Sequence, residues 1–431
     1  MKLFSHKKRA VHLGPYPLER LPRLADPSAA PLSSGRARRL AEVETPGPRG
    51  AGPAFGPYLD MYDGQRTGPV APAAPLPDDL ALRADHLKAG LYFLDADMVG
   101  CGLVPEDAWR DDGQTGDSQA TDSLTSDPLP AERDNHRFAV VTLVAFSRKL
   151  PGSKPGDDWI DGTRQVNADL RAAELAVITA SYIRNLGFDA VAHTPTTSSV
   201  DLERVAMQCG LIEARGGKLR APYLKSGFAL SVVTTDLEMA PDAPLARRGL
   251  LDQLRSTRGL GWMLGWQGTR AGIGRLNGDH RALHLGRYPM ERIKRVDEPT
   301  TLIIADEVER VPVRAGGFPR AAHGDMGPKF QKDVKVFAFK TPQAQSYVQQ
   351  ISGMVPFQDG EVAADVAPET SDPDRNADAL KALAYHLGGD MVGVCRVPSY
   401  AWYSHRGDGT PIEPYHRYAV VILLDQGYET M

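Results

Sequence analysis

The sequence predicts an α/β or α+β fold around a mixed sheet, and three observations carry that expectation. Helical and strand patterns alternate along the chain, as they do where helices are layered on a sheet. Two stretches, His136–Phe146 and His416–Leu424, are continuously apolar, as expected of strands covered on both faces. Three segments also occur twice, in the same order. RAVHLGPYPLERLPR at 9–23 and RALHLGRYPMERIKR at 281–295 agree at ten of fifteen positions. Asp97-Met98-Val99-Gly100 with Val104-Pro105 and Ala108-Trp109 matches Asp390-Met391-Val392-Gly393 with Val397-Pro398 and Ala401-Trp402. The third pair is the His-Arg strand itself. Such a long period excludes a solenoid and points to a duplicated domain. The expected parts are 1–271, a first copy, and 272–431, the start of a second.

Taken in order, residues 24–80 are rich in Pro, Gly, Ala and Ser and read as loop. Residues 81–94 read as a helix and 98–104 as a strand. Residues 111–134 are acidic and aperiodic, which predicts a surface loop. The strand at 136–146 follows. A long helix is expected over 163–186, with Val166, Leu170, Ala173, Val177 and Leu186 on its apolar face and Gly187 ending it. A strand at Phe188–His193, a helix near 200–208 and a strand at Ala229–Thr235 complete the first copy. Residues 242–280, with Trp262 and Trp266, read as a connector.

The second copy repeats only the front of this plan. Residues 357–377 are an acidic loop. An amphipathic helix over 376–387 places Leu380, Leu383 and Leu387 on one face, with Asn376 or Asp378 as cap and Gly388-Gly389 as stop. Strands at Met391–Val397 and His416–Leu424 follow. Nothing corresponds to 152–240, so the sequence predicts a truncated second copy.

Composition excludes several classes. A net charge of −4 over 431 residues gives no nucleic-acid surface and no attraction to anionic membranes. No apolar run is long enough to cross a bilayer. The first residues, and Arg38-Arg39 further on, lack the apolar core of an export signal. The expected compartment is therefore the cytoplasm. The three cysteines, Cys101, Cys209 and Cys395, are scattered and form no Cys-x-x-Cys pair. They predict no metal or cluster motif, and ordinary buried thiols.

The nucleotide-binding, zinc-protease and serine-hydrolase signatures are absent. His280 and His284 have the spacing of a helical metal pair, but Gly286 and Pro289 disfavour a helix there. His405 and His416 read as structural or exposed. Tyr400, Trp402 and Tyr403 read as aromatic packing under a loop, since Trp109 is the counterpart of Trp402. Tyr428 differs. It lies just past the C-terminal end of an apolar strand, where ligands of α/β sheets commonly bind. A tyrosine there can donate a proton when a neighbouring cation lowers its pKa. Its counterpart in the first copy is Arg148. A surface tyrosine on a turn is the plain alternative.

At these residues the chain resembles the cytosolic, catabolic reductive dehalogenases. The resemblance rests on the paired HLG-x-YP-x-ER segments, Gly324-Asp325-Met326-Gly327-Pro328-Lys329, Met354–Val362, Tyr400–Arg406 and Asp425–Met431. It implies a nitroreductase-like cobalamin domain preceded by a degenerate copy of itself, and a ferredoxin-like domain with two [4Fe–4S] clusters. It implies reductive removal of halide from halogenated aromatics of the halophenol type by reduced cobalamin, with Tyr428 as proton donor. Electrons would come from a ferredoxin or a fused reductase. The cluster cysteines and the family's lysine have no match here; Lys225 is not placed on that lysine, because Ala229 aligns nearer to it. The chain is therefore expected to be an amino-terminal fragment, inactive alone. Two other readings stay open: a non-catalytic cobalamin-binding or assembly module, and an epoxyqueuosine-reductase-like enzyme.

Overall fold

The computed structural model describes residues 9–31, 50–110, 130–150, 152–215, 217–224, 227–249, 252, 281–297, 301–336 and 340–424. These fall into two compact units. Unit one takes the described residues up to 150 and from 160 to 252, and unit two takes 152–159 and 281–424. The helices are α1 (Gly56–Asp63), α2 (Leu80–Phe93), α3 (Pro130–Asn135), α4 (Asp157–Ile160), α5 (Arg164–Asn185), α6 (Leu202–Gln208), α7 (Gly317–His323), α8 (Pro328–Val336), α9 (Pro342–Met354) and α10 (Pro373–His386). The strands are β1 (Met98–Leu103), β2 (Phe138–Ala145), β3 (Ala190–His193), β4 (Glu213–Arg215), β5 (Lys218–Arg220), β6 (Phe228–Thr235), β7 (Met391–Arg396) and β8 (Tyr418–Leu423). The result is a mixed α/β fold with small sheets.

Unit one is built on a four-stranded sheet in the order β1-β2-β6-β3. Every pairing in it is antiparallel, so the expected mixed sheet does not form. The reason is where β6 goes. The helix α5 carries the chain from β2 to β3, which run parallel to one another as in a βαβ unit. The strand β6 then inserts between them, antiparallel to both, and splits the unit.

The sheet is covered on both faces, which explains the unbroken apolar runs of β2 and β6. One face packs on α5 through Ala168 and Ala172 against Ala229. The opposite face holds Val141, Leu143, Phe228, Leu230 and Val232 with Val205 and Ala206 of α6. Full burial of side chains such as Phe228, Leu143 and Leu230 contributes about 1.5–3 kcal/mol each.

The β3 edge is closed by arginines rather than by another strand. The carbonyl of Arg66 accepts from Ala192 N at 3.0 Å, and Arg66 Nε donates to Ala192 O at 2.8 Å. Arg184 donates to Ala190 O at 2.8 Å and to Arg66 O at 3.2 Å. Both edge groups of Ala192 are thereby satisfied, which blunts the edge against foreign strands.

Unit two contains the antiparallel pair β7-β8 and the helix α10. The side chain of Asp372 caps α10, accepting from Asp374 N and Arg375 N at 3.0 and 3.3 Å. The helix therefore starts earlier than the expected caps, Asn376 and Asp378. Its buried residues are Ala379, Ala382 and Ala384, while Leu380 and Leu387 are 38% and 54% exposed. Gly156 packs against Ala379 and Ala382, and a side chain there would collide with them.

The front of each unit has the same internal geometry. Asp79 caps α2 as Asp372 caps α10. Met98 pairs with Leu143 as Met391 pairs with Leu423, and the two registers run in step to Leu103↔Phe138 and Arg396↔Tyr418. Arg9 donates to the carbonyls of Leu13, Gly14 and Tyr16 and pairs with Glu19. Arg281 makes the equivalent bonds to Leu285, Gly286 and Tyr288 and pairs with Glu291.

Several expectations are corrected. Residues 24–80 are not all loop: α1 forms there, with Leu59 and Tyr62 buried. Within the expected loop 111–134, residues 130–135 are helical, and 111–129 lie outside the described residues. Most of the 242–280 connector, with Trp262 and Trp266, lies outside them too. The strand β8 is not covered on both faces: Tyr418, Val421 and Ile422 are 60%, 57% and 52% exposed. Among the described residues it pairs with β7 alone and has no helix layer like α5. Among the described residues no helix is long and apolar enough to cross a membrane.

Candidate functional site

The candidate residue, Tyr428, follows β8 in sequence and lies outside the described residues; three described segments of unit two surround β8. The hydroxyl of Tyr385 on α10 accepts from Val392 N at 3.1 Å and so fixes helix to strand. A cluster of rings stands just before β8. Trp402 and Tyr415 have centroids 4.8 Å apart, Tyr415 and His416 4.4 Å, and Trp402 and His416 6.5 Å. These separations are those of packed aromatic pairs, and the packing reading of Trp402 holds.

The loop that carries Tyr400, Trp402, Tyr403 and His405 is held by backbone bonds to residues 311–313 and 412. Ser404 N donates to Val311 O at 2.9 Å, Val313 N to His405 O at 3.0 Å, and Ile412 N to Ser404 O at 2.9 Å. Arg310 ties the strands of this loop together, donating to Trp402 O at 3.4 Å, Tyr403 O at 2.8 Å and Ile412 O. His405 is exposed, with Nδ1 3.0 Å from Ser404 Oγ. His405 and His416 are therefore structural or exposed side chains, as expected.

Tyr428 lies outside the described residues, as does all of 425–431. Its counterpart position in unit one, Arg148, stands three residues beyond the end of β2. Lys225 is likewise outside the described residues.

The ionisable groups of unit two respond to their neighbours. The Arg281 guanidinium and a backbone N–H lower the Glu291 carboxyl to about 2. In unit one burial works to raise the Glu19 carboxyl, but the Arg9 guanidinium and the local backbone outweigh it and the carboxyl is lowered. The thiol of Cys101, by contrast, is pushed up to about 12 by burial.

Metal and cluster chemistry finds no ligand set. Among the described residues no group of three or more His, Cys, Asp or Glu could hold a metal ion. His280 lies outside them, and His284 faces Asp378 with Nε2 3.8 Å from its carboxylate. Cys101 and Cys209 are buried, but Cys395 is exposed, against expectation. In unit one the segment at Asp242 borders β1 and exchanges hydrogen bonds with the backbone of Cys101, and no bond of this kind is found at Cys395 among the described residues. Cys101 and Cys209 cannot share a cluster. Cys209 packs beneath Gly100 and Gly102, and alternation along β1 turns Cys101 to the opposite face. The described residues therefore do not fit an iron–sulfur cluster, and no feature among them identifies a corrin seat.

The sequence reading missed the supports rather than the strands. Arg310 lies far from the loop it binds, and no local pattern marks it. The clamps of Arg9 and Arg281 did leave a signal, because both ends of each ion pair are invariant between the repeated segments.

No protein-family model matches the sequence, and no curated protein does. Solved structures do. The catabolic reductive dehalogenase NpRdhA is 40% identical over the whole of this chain, with a TM-score of 0.85. The chain is a relative of the reductive dehalogenases. A reductive dehalogenase structure that suggests a mechanism for B12-dependent dehalogenation matches at 40% identity and a TM-score of 0.85. So does NpRdhA in complex with 3-bromo-4-hydroxybenzoic acid. Each match covers 100% of this reductive-dehalogenase relative, which spans 59% of the first structure and 58% of the other two.

Proposed function

We propose that this chain serves reductive dehalogenation of halogenated aromatics of the halophenol type, with cobalamin and two [4Fe–4S] clusters as cofactors. The observation that carries this is the match over the whole chain at 40% identity to reductive dehalogenases, one of them holding a bromohydroxybenzoic acid. The net change replaces carbon–halogen by carbon–hydrogen, consumes two electrons and one proton, and releases halide. Tyr428 is the proposed proton donor. Electrons come from a ferredoxin or a reductase.

The two units are proposed to be copies of one domain plan, the first having kept the fold and lost the site. The matched registers, caps and arginine clamps support this, as does Arg148 at the place of Tyr428. A [4Fe–4S] cluster takes four thiolates, and the chain has three cysteines in all. Residues 1–431 are therefore proposed to be inactive alone.

One observation favours a second reading, a cobalamin-binding or assembly module without catalysis. The apolar strand β8 is left exposed, as a docking element would be. The codons that follow 431 separate the two. An open frame leading to Cys-x-x-Cys-x-x-Cys-x-x-x-Cys-Pro is expected, whereas a stop codon supports the module. Bromide release from a bromophenol by residues 1–431 with cob(II)alamin and a strong reductant would overturn the proposed inactivity.

A further inference from the structure

The edge strand β3 carries a buried histidine that the proposed chemistry does not use. His193 sits in a chain of four hydrogen bonds whose directions can be assigned from the donors. Ser199 N–H can only donate, and it meets His193 Nδ1 at 3.2 Å. That nitrogen therefore bears no proton, and Nε2–H donates to Thr234 Oγ1 at 3.0 Å. The Thr234 hydroxyl passes its own proton to His136 Nδ1 at 2.9 Å. His136 Nε2–H then meets the Asp189 carboxylate at 3.2 Å. The chain runs one way, from the Ser199 amide to the Asp189 carboxylate. It holds β3 to β6 with His193 neutral.

We propose that release of β3 from β6 is coupled to proton uptake by His193, so that this sheet edge is a pH-sensitive latch. In the closed edge His193 is fully enclosed, and its Nδ1 is already taken by an amide proton. Burial, then Arg66, His136 and Arg110, all hold it well below the ordinary imidazole value. Once β3 lifts, the ring meets water and regains an ordinary value of about 6.5. The opened edge then binds one more proton than the closed edge. Closure is therefore fully favoured above about pH 6.5 and weakens as pH falls below it.

The other groups facing this cluster do not imitate the effect. Asp189 is the acceptor at the far end of the chain, and Arg184 lies near it. The Asp236 carboxyl, raised by burial, has the opposite sign, since its protonation favours the closed edge. His136 is the other imidazole of the cluster, and His193→Gln separates the two.

Hydrogen–deuterium exchange of the purified protein tests the latch, read on peptides covering 190–193 and 228–235 at pH 7.5 and 5.5 after correction for intrinsic rates. One imidazole released to water predicts opening about tenfold more frequent at pH 5.5. His193→Gln should abolish that ratio. Thr234→Val should raise exchange at both pH values and keep it. A wild-type ratio near one overturns the proposal, and so does a tenfold ratio that survives in His193→Gln. Should His193→Gln fail to fold, His136→Gln decides: a tenfold ratio retained there supports the latch, and its loss overturns it.

Discussion

The hydroxyl of Tyr385 accepts a hydrogen bond from the backbone N–H of Val392 at 3.1 Å. Tyr92 makes the same bond to Val99 at 3.0 Å in the other unit. Each ring also lies across a glycine, Gly286 or Gly14, at the end of a loop clamped by an arginine. One tyrosine thus joins helix, strand and loop in each unit. The glycines have φ of +61° and +65° with ψ near 180°, a region that only glycine enters readily.

Gly14→Ala should therefore be strongly destabilising. The added methyl both strains the backbone and overlaps the Tyr92 ring. A loss of about 1–3 kcal/mol is expected from the backbone alone, with the overlap added to it. Tyr92→Phe, which keeps the ring and loses the hydroxyl's bonds to Val99 N and O, should cost about 1 kcal/mol. Urea denaturation of unit one measures both, and the glycine change should be the larger.

Arg9→Gln should cost about 1.5–3 kcal/mol, because it removes charged hydrogen bonds to three carbonyls and to Glu19. The same urea midpoints report it.

The Arg281 clamp has a pH signature. The folded value of Glu291 lies below its ordinary 4.5, at about 2. Its contribution is therefore present above pH 4.5 and is lost as pH falls through about 2. A carbon-detected titration of the Glu291 carboxyl should show a midpoint near 2, moving to the ordinary carboxylate range in Arg281→Gln. An ordinary midpoint in the wild type would mean the clamp does not form in solution.

Thiol labelling should be graded. Cys395 is exposed, whereas Cys101 and Cys209 are enclosed and burial raises both thiols. One thiol should react with a maleimide in the native protein and three in denaturant. Cys395→Ala should abolish the native reaction.

How much of this was legible in the sequence depended on where the constraint lay. The central strands β2 and β6 and the long helix α5 were readable because burial writes a local pattern, and Gly187 marked the helix stop. The position of β6 was not readable, since inserting a strand between β2 and β3 leaves no mark on either. The helix α1 was hidden by Pro and Gly around Leu59 and Tyr62. The true cap of α10, Asp372, was masked by two prolines and an acidic run. The exposure of β8 and Cys395 was unreadable because their sequences match those of buried counterparts. Near β8 the role of Arg310 was unreadable because it acts across a long separation, while Tyr428, expected from its strand, lies outside the described residues.

The most direct measurement of the central claim is bromide release from 3-bromo-4-hydroxybenzoic acid. It would use the open frame through any cluster-binding segment, with cobalamin and a reductant, comparing wild type with Tyr428→Phe. Bromide release is expected from the wild type, reduced about 100-fold or more in the variant, the scale of a lost general acid. No release by the wild type, or an unchanged rate in Tyr428→Phe, would contradict the account.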